Sequence, residues 1–305
     1  MKADVAGAPV SFGVFEMTPE GADTVAPDDL LDALAGAGYR GVDLGPLGYL
    51  GEGAALRARL ESHGLELAGG WVQLPFSDDD AFAAAVPGLR SALRVFSDAA
   101  EAGPARLPLP TLADDGSLAR RAAPGRGDDV DALSDDAWGR LFANVEHAAA
   151  LVRAAGFEPT FHHHAGTFVE SPDEIDRFLS HVDVDLTLDT GHLLIAGGDP
   201  LAAVQRWGDR INHLHLKDVD VTELHRVLAT GGGMTEVWSA RSFVAFGEGD
   251  VELDAVMSAV DALGFDGWVV VEQDVLNGPG VAIDAFHAAR TADQRTNRDA
   301  LRRWV

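Results

Sequence analysis

Four short stretches of the chain combine residues that bind metals or move protons. They are His162-His163-His164, Asp189-Thr190-Gly191-His192, His213-Leu214-His215-Leu216-Lys217-Asp218 and Glu272-Gln273-Asp274. Each stretch ends a run of residues that is typical of a buried β-strand. Histidine, aspartate and glutamate bind divalent metals, whereas histidine or lysine with a shifted pKa transfers protons. The four stretches therefore predict a metal-assisted active site.

The alternation of side chains along a strand predicts which of these residues share a face. In the third stretch, Leu214 and Leu216 are expected to face surrounding helices. Because successive side chains of a strand point in opposite directions, His213, His215 and Lys217 are then expected on the interior face. This places three ionisable side chains of one strand on the same side.

The other three stretches follow the same rule. Asp189 and Glu272 alternate with the apolar residues before them and are expected to point inward. His162 and His164 share one face, and His163 on the opposite face is interpreted as a packing residue. Burying so many ionisable groups without a counter-charge would cost on the order of several kcal/mol each. A cation among them is therefore the simplest explanation.

Strand-like runs alternate with amphipathic segments along the chain. The predicted strands are Pro9–Phe15, Gly41–Gly45, Leu65–Val72, Ala105–Pro110, Glu158–His164, Val184–Thr190, Ile211–Val219 and Gly267–Asp274. The predicted helices are Pro27–Ala37, Ala54–His63, Ala81–Ala102, Asp135–Ala155, Ser171–Ser180, Pro200–Trp207 and Leu253–Leu263, with a polar helix over Ala282–Trp304. Eight strand-then-helix units favour a closed barrel over an open sheet. We predict an α/β fold, a single (β/α)8 TIM-barrel domain over residues 1–305.

Local signals mark helix ends and one long loop. Ser171-Pro172 and Asp199-Pro200 predict helix starts, because each pairs a capping side chain with proline at the first helical position. Predicted helices end at Gly38, Gly64, Gly156 and Gly264. Residues 113–133 are rich in Asp, Gly and Arg without periodicity, which predicts a loop or lid after the fourth strand.

Composition limits the class of protein and its partners. Of the 305 residues, 47% are hydrophobic and 24% charged, which suits a large globular core. The 49 acidic and 23 basic residues give a formal charge of −26, which repels phosphate backbones and anionic lipids. Signal-peptide and membrane-span patterns are not seen in the sequence. We expect a cytoplasmic protein that binds neither nucleic acid nor membrane, and homo-oligomer formation stays open.

The chain contains no cysteine, which excludes disulfides, thiolate zinc sites and a cysteine nucleophile. Among the other polar residues, Glu16, Trp71 and Gln73 lie near the ends of the first and third predicted strands and are weaker candidates for substrate contact. The remaining histidines are interpreted as ordinary hydrogen-bonded groups: His63, His147, His181, His225 and His287.

These motifs together resemble the xylose isomerase-like barrel superfamily of sugar isomerases and epimerases, and within it the inosose dehydratase branch. The resembling stretches are Ser11–Glu16, Val42–Tyr49, Phe161–Thr167, Leu188–His192, Ala196–Pro200, His213–Asp218 and Gly267–Asp274. They run from the first predicted strand to the eighth, so the resemblance covers nearly the whole chain.

The resemblance implies a divalent metal, most often Mn or Co, with Zn or Mg as alternatives. Its usual ligands are an acid, an Asp, a His and a Glu from strands five to eight, and Asp189, His215 and Glu272 match the last three. His162 stands where the first ligand is normally Glu. Glu170, a few residues further on, is an alternative fourth ligand or a substrate contact.

The resemblance also implies chemistry on a small polyol or sugar. We favour dehydration of a keto-inositol or similar cyclic polyol ketone through an enolate, with His192, His164 and Lys217 as proton-transfer or orienting groups. Asp43, where the branch usually has Glu, is expected to change a substrate hydroxyl contact. A ketose isomerase or epimerase is the alternative enzyme, and a sugar-binding or scaffold barrel is the alternative without catalysis. The negative charge counts against an endonuclease of the same superfamily.

Overall fold

Eight parallel strands within residues 1–127 and 129–305, the ranges that this computed structural model describes, close a barrel. The strands of the described chain are β1 (Asp4–Gly7), β2 (Gly41–Asp43), β3 (Glu66–Leu74), β4 (Leu109–Asp114), β5 (Thr160–His162), β6 (Asp185–Asp189), β7 (Ile211–Leu216), β8 (Asp218–Val219), β9 (Phe243–Val244) and β10 (Trp268–Val271). The barrel runs β1 to β7 in order and closes through β10, whereas β8 and β9 form a separate antiparallel pair. The predicted α/β barrel is confirmed.

Helices surround this barrel. They are α1 (Pro27–Ala37), α2 (Gly53–His63), α3 (Asp79–Ala100), α4 (Leu118–Ala122), α5 (Asp135–Ala154), α6 (Pro172–Leu179), α7 (Thr190–Ile195), α8 (Pro200–Trp207), α9 (Val221–Ala229), α10 (Met234–Ser239), α11 (Leu253–Ala262) and α12 (Ile283–Ala300), with 3-10 turns at Pro9–Phe12 and Gly208–Arg210. Neighbouring helices pack on each other, as α1 does on α2 and α12. Among the described residues, no helix has the length and hydrophobicity that a membrane crossing requires.

The inside of the barrel is packed below the site. A small apolar cluster fills it: Ala6, Ala8, Ala68, Trp268 and Val270. Gly41 makes room for the largest member, because a Cβ there would lie 2.8 Å from the Trp268 ring. The inward position of Trp268 and Val270 confirms the alternation predicted for the last strand, in which Glu272 follows on the same face.

The helix signals in the sequence are confirmed at atomic detail. The Ser171 side chain accepts a hydrogen bond from the Glu174 N–H, and the Glu174 carboxylate accepts one from the Ser171 N–H, which together form a capping box. Asp199 caps α8 directly before Pro200. Gly38 ends α1 with a φ of 89°, in the left-handed region that glycine adopts without strain.

The predicted first strand was wrong. The sequence pattern placed it at Pro9–Phe15, but β1 is Asp4–Gly7, and Pro9–Phe12 forms a 3-10 turn that ends at Gly13 with a φ of 72°. The apolar residues of this turn resemble a strand in sequence, yet proline at its start favours a turn and supplies no N–H for a strand ladder. The strand that precedes it consists of only four residues.

The fourth strand also lies later than predicted. β4 begins directly after Pro108, which lacks the N–H that a ladder requires, and runs over Leu109–Asp114 instead of the predicted Ala105–Pro110. The predicted loop at residues 113–133 therefore begins inside β4, and it contains the short helix α4. Asp128, which falls in this predicted loop, lies outside the described residues. Movement of the segment as a lid stays a prediction.

A small cap, formed by β8, α9, α10 and β9, follows the seventh barrel strand. This strand was predicted to reach Val219, but β7 ends at Leu216, and Asp218–Val219 pairs with β9 instead. Helices α9 and α10 were not predicted, because neither begins with the pair of capping residue and proline that marks the similarly short helices α6 and α8. Cap and neighbouring residues share an apolar cluster separate from the main core: Ala165, Ile195, Val219, Leu224, Val227, Met234, Val237, Trp238 and Phe243.

Candidate active site

Side chains from four adjacent strands converge at the C-terminal mouth of the barrel. His162 and Asp189 are the last residues of β5 and β6, His215 lies in β7 and Glu272 follows β10. The ladder places Asp189 directly beside His215. One ligand atom from each residue lies within 4.8 Å of the corresponding atom of every other, and all four residues are buried. The structure thus groups the four residues that the sequence predicted as ligands.

Lys217 lies next to this four-residue group. Its Nζ is 2.7 Å from Oδ2 of Asp189 and also contacts the Glu272 carboxylate. Within the group, Nε2 of His162 is 3.3 Å from Oδ2 of Asp189, and Nδ1 of His215 is 2.9 Å from Oε2 of Glu272. Basic and acidic side chains therefore alternate around a common centre.

Asp189 is fixed on three sides. Its Oδ1 accepts hydrogen bonds from the N–H groups of Gly191 (2.9 Å) and His192 (2.8 Å), which caps α7. Its own backbone N–H donates to Nε2 of His163 at 3.1 Å. His163 is fully buried, so this histidine supports the strand end that carries Asp189. The second carboxylate oxygen, Oδ2, is left to face Lys217 and the group.

Burial and neighbouring charges compete in setting the protonation states. Burial acts to raise the pKa of Asp189, but the Lys217 ammonium and His192 hold it well below its usual range. Burial also acts to raise the pKa of Glu272, but the neighbouring His215 and Lys217 outweigh burial and lower it. Burial lowers the pKa of His162 to about 3, which leaves its imidazole neutral. Burial acts to lower the pKa of His215, but the Glu272 carboxylate prevails and raises it. Since ionised carboxylates and neutral imidazoles are the forms that bind metal ions, three of the four groups are in the binding form and His215 would give up a proton on coordination.

The donor set fits a divalent metal ion. Two imidazoles and two carboxylates suit a transition metal better than calcium, which prefers oxygen ligands alone. Among the described residues, the buried Nδ1 of His215, the ring nitrogen that faces Asp189 and Glu272, has no hydrogen-bond partner of good geometry. Such an unpaired nitrogen is costly, and coordination would remove the cost. The charges of Asp189 and Glu272 would offset those of the ion.

A second group of ionisable residues adjoins the first. Ligand atoms of His164, His192 and Asp274 lie within 4.8 Å of one another. The rings of His164 and His192 are 3.5 Å apart between centroids. His164, His192 and Lys217 are thus brought together as predicted. Asp274 was not among the predicted site residues, although its spacing of two from Glu272 places it on the same strand face and could have revealed it.

A cavity of about 350 Å³ opens over both groups. Trp71 is in its wall, with its ring centroid 5.2 Å from those of His162 and His164, and Glu16 lines the same cavity in an exposed position. Asp43 is buried in the wall, and burial raises its pKa to about 7. The structure therefore brings the predicted contacts Glu16 and Trp71 to the cavity.

The predicted contact Glu170 is not brought to this cavity. Its carboxylate accepts hydrogen bonds from the N–H groups of Gly125 (3.1 Å) and Gly166 (2.6 Å) and from Nη1 of Arg120 (3.3 Å). The side chain is fully buried, and burial raises its pKa. Glu170 is thus used to attach the segment after β4 to the barrel, and the four-residue group contains His162 in its place.

Several cavity residues were missed because they lie in elements that the sequence did not predict. Arg121 and Leu118 come from α4, and Met234 and Trp238 come from α10. Asp114, the last residue of β4, also lines the cavity, and burial raises its pKa to about 7. The late position of β4 hid this carboxylate, because the predicted strand ended four residues earlier.

The family described as xylose isomerase-like TIM barrel matches residues 31–302. The chain belongs to this family. Membership over nearly the full length confirms the resemblance that the strand-end motifs indicated.

Similar proteins within and around this family include two enzymes and one solved structure. An inosose dehydratase of Lacticaseibacillus casei is 35% identical over 158 residues, which are 48% of this chain and about half, 50%, of the length of that enzyme. An inosose dehydratase of Geobacillus kaustophilus is 30% identical over 286 residues, covering 90% of this chain and 88% of the enzyme. The IOLI protein with a bound zinc atom shares the fold, with a TM-score of 0.69 at 13% identity over 99% of both chains.

Proposed function

We propose that the chain is a metal-dependent hydro-lyase that removes water from a keto-inositol (inosose) or a similar cyclic polyol ketone. The observation that carries this proposal is that three members of the four-residue metal group, His162, His215 and Glu272, line the same cavity as His164, His192 and Lys217. The similarity to an inosose dehydratase over 90% of this chain supports the same substrate class.

In this proposal His162, Asp189, His215 and Glu272 hold the metal. Mixed imidazole and carboxylate ligands suit Mn or Co, with Zn or Mg as alternatives. When bound, such an ion supplies a Lewis acid that polarises the substrate carbonyl and makes the adjacent C–H bond more acidic. The arrangement of the protein groups around the cavity then determines which proton is removed and which oxygen leaves.

His164 is the proposed base. Its Nδ1 donates to the carbonyl oxygen of Ala165 at 2.7 Å, so the proton of the neutral ring lies on Nδ1 and Nε2 carries the free lone pair. Burial lowers the pKa of the ring well below its usual range, which keeps it unprotonated at neutral pH. A neutral imidazole held in one tautomer can accept the α-proton of the substrate, and the electrons of the C–H bond pass into the enolate.

His192 and Lys217 are the proposed groups on the leaving-group side. Loss of the β-hydroxyl forms a C=C bond and breaks a C–O bond, and the departing oxygen needs one proton to leave as water. No oxidant or reductant is required. His192 lies against His164 and is placed to supply that proton, whereas the buried Lys217 ammonium orients the substrate oxygens by donating hydrogen bonds.

The cavity wall suits a ring that carries hydroxyl groups. A cyclic polyol presents apolar C–H faces and hydroxyl edges. The indoles of Trp71 and Trp238 offer flat apolar surfaces, and the carboxyl groups of Asp43 and Glu16 offer hydrogen-bond partners. We propose Glu16 and Trp71 as substrate contacts on this basis.

The test combines elemental analysis with a substrate assay. We expect one divalent metal ion per chain and, with inosose, an absorbing hydroxy-enone product, the enol form of a 1,2-diketone, that is no longer formed when the metal is removed by a chelator. An epimerase would instead exchange the substrate α-proton with deuterium from the solvent and give no absorbing product. A sugar-binding barrel without catalysis would do neither. Either of the last two results would overturn the proposed dehydration.

A further inference from the structure

A carboxylate outside the four-residue metal group contacts two of the proposed proton-transfer groups at once. Oδ1 of Asp274 lies 3.4 Å from Nζ of Lys217, and Oδ2 lies 3.4 Å from Nε2 of His192. Asp274 is buried and lines the cavity. The two carboxylate oxygens thus face two different cationic or ionisable side chains.

The same carboxylate also belongs to a second group of ligand-type residues with His164 and His192. Charge argues against a second metal ion there. Lys217 lies near both groups, but the four-residue metal group offsets the two charges of a divalent ion with two carboxylates, whereas the second group has one. The group supplies one carboxylate, and Lys217 already neutralises it. Asp274 is therefore better suited to a protein cation than to an ion.

Lys217 needs this carboxylate because its other two acidic neighbours have a different role. Asp189 and Glu272 contact Lys217, but both belong to the proposed metal group. Once these two hold a divalent ion, Asp274 is the carboxylate among the described neighbours of Lys217 that is left to neutralise it. Asp274 also lies next to the His192 ring, so the Lys217 ammonium and this ring lie on the same side of the cavity.

We propose that Asp274 is a positioning residue that holds Lys217 and His192 on the leaving-group side of the cavity. This inference rests on the proposed function, because it assigns Asp274 to the elimination step. A carboxylate presents an oxygen to each of the two partners, whereas an amide of the same size would turn an NH2 group toward one of them. The substitution D274N therefore disturbs the pair with little change in volume.

The first test separates proton removal from elimination. In D2O, wild-type and D274N proteins are given inosose, and deuterium exchange at the α-carbon is measured beside formation of the absorbing product. We expect kcat for elimination to fall by roughly 10- to 100-fold with KM changed by less than about threefold, while exchange is largely retained. D274E, which restores a carboxylate, should recover part of the lost rate.

The matched control is D220N. Asp220 caps α9 by accepting from the Glu223 N–H at 2.9 Å, and asparagine also serves as a helix cap. This variant removes one negative charge from a nearby segment of the chain, and we expect elimination and exchange as in the wild type. Equal loss of both rates in D274N, or the same change in D220N, would overturn the positioning role.

Two further measurements do not depend on turnover. Lys2 and Lys217 are the only lysines of the chain, so amine acylation read by mass spectrometry reports Lys217 with the exposed Lys2 as an internal reference. We expect acylation of Lys217 relative to Lys2 to rise several-fold in metal-loaded D274N and to stay unchanged in D220N. Metal content should remain one ion per chain in both variants.

The outcomes distinguish the inference from the proposed function. Two ions in the wild type and one in D274N would make Asp274 a metal ligand and overturn the inference. Unchanged acylation of Lys217 would likewise overturn it. If the wild type fails to dehydrate inosose while acylation of Lys217 rises in D274N, the proposed substrate fails but the contact between Asp274 and Lys217 stands.

Discussion

Asp189 shows how one residue can connect the fold to the chemistry. It ends β6, caps α7 through Oδ1, and turns Oδ2 toward His162 and Lys217. Because the cap immobilises one oxygen, the other is held in a fixed direction. A side chain on a flexible loop would have to lose rotamer entropy to reach the same geometry.

Substitution D189N should separate these two roles. The amide oxygen can still cap α7, whereas the NH2 group in place of Oδ2 removes a negative charge and a ligand. We expect metal affinity to fall by at least about 100-fold with circular dichroism unchanged, as measured by metal titration. D199N is the control, since Asp199 caps α8 in the same way and lies outside the metal group. Normal metal binding by D189N would contradict the assignment.

The buried carboxyl group of Asp114 predicts how the stability of the fold changes with pH. Its Oδ1 accepts from the N–H groups of Gly116 (2.7 Å) and Phe168 (3.3 Å), while its Oδ2 has no partner among the described residues. Burial raises the pKa to about 7 in the folded state, against about 3.9 for an exposed aspartate. The folded state therefore holds a proton that the unfolded state has lost, and stability falls as pH rises from about 4 to about 7.

The substitution D114N should remove this loss of folding stability at higher pH. Its amide oxygen keeps both hydrogen bonds, and no proton has to be released. We expect the difference in unfolding free energy, D114N minus wild type, to grow between pH 4 and pH 7 by up to about 4 kcal/mol and then to level off. Urea unfolding at several pH values measures it, with the metal removed throughout. A difference that stays constant over this range would refute the assigned pKa.

At the scale of elements, a buried arginine links the segment after β4 to the barrel. Arg120 of α4 donates to Oε1 of Glu174 at 2.8 Å, to Oε1 of Glu170 at 3.3 Å and to the carbonyl oxygen of Thr167 at 3.3 Å. Residues around Thr167 belong to the loop that carries His164. The arginine thus links the cavity wall formed by α4 to the loop of the proposed base.

R120M should be strongly destabilising, because it leaves two buried carboxylates without their cation. Breaking a buried ion pair by removing one partner costs about 3–5 kcal/mol, and urea unfolding at pH 7.5 measures it. R126M is the control in the same segment, since Arg126 pairs with Asp129 at an exposed position and should contribute less than about 1 kcal/mol. Equal effects of the two substitutions would show that burial of Arg120 has no special role.

Elements differ in how well the sequence predicts them. The strands β5, β6, β7 and β10 were found because apolar alternation ends in chemically distinctive residues such as Asp189 and His215. Elements of six residues, such as α7 and α10, contain too little periodicity for the same argument. The position of Glu170 could not be predicted from the sequence either, because its carboxylate is oriented by Arg120, 50 residues away along the chain. Long-range contacts of this kind leave no local pattern.

At the scale of the whole molecule, charge is the dominant feature. A formal charge of −26 on 305 residues produces mutual repulsion over the surface of the folded state. The surface charge has little effect on Lys217, since this residue lies buried among carboxylates that pair with it directly. The surface charge therefore acts on stability and on the approach of ligands, while the site depends on its own local pairs.

Salt should consequently stabilise the protein. Raising NaCl from about 20 mM to about 500 mM shortens the screening length from about 20 Å to about 4 Å, which weakens repulsion between distant carboxylates. We expect the thermal midpoint of the chelated protein to rise by several degrees at pH 7.5. The rise should be smaller at pH 5.5, because the sequence pI is about 4.5 and the net charge is lower there. A fall in the midpoint with salt would instead mean that exposed ion pairs, such as Arg177 with Asp135, outweigh the repulsion, since salt weakens attraction and repulsion alike.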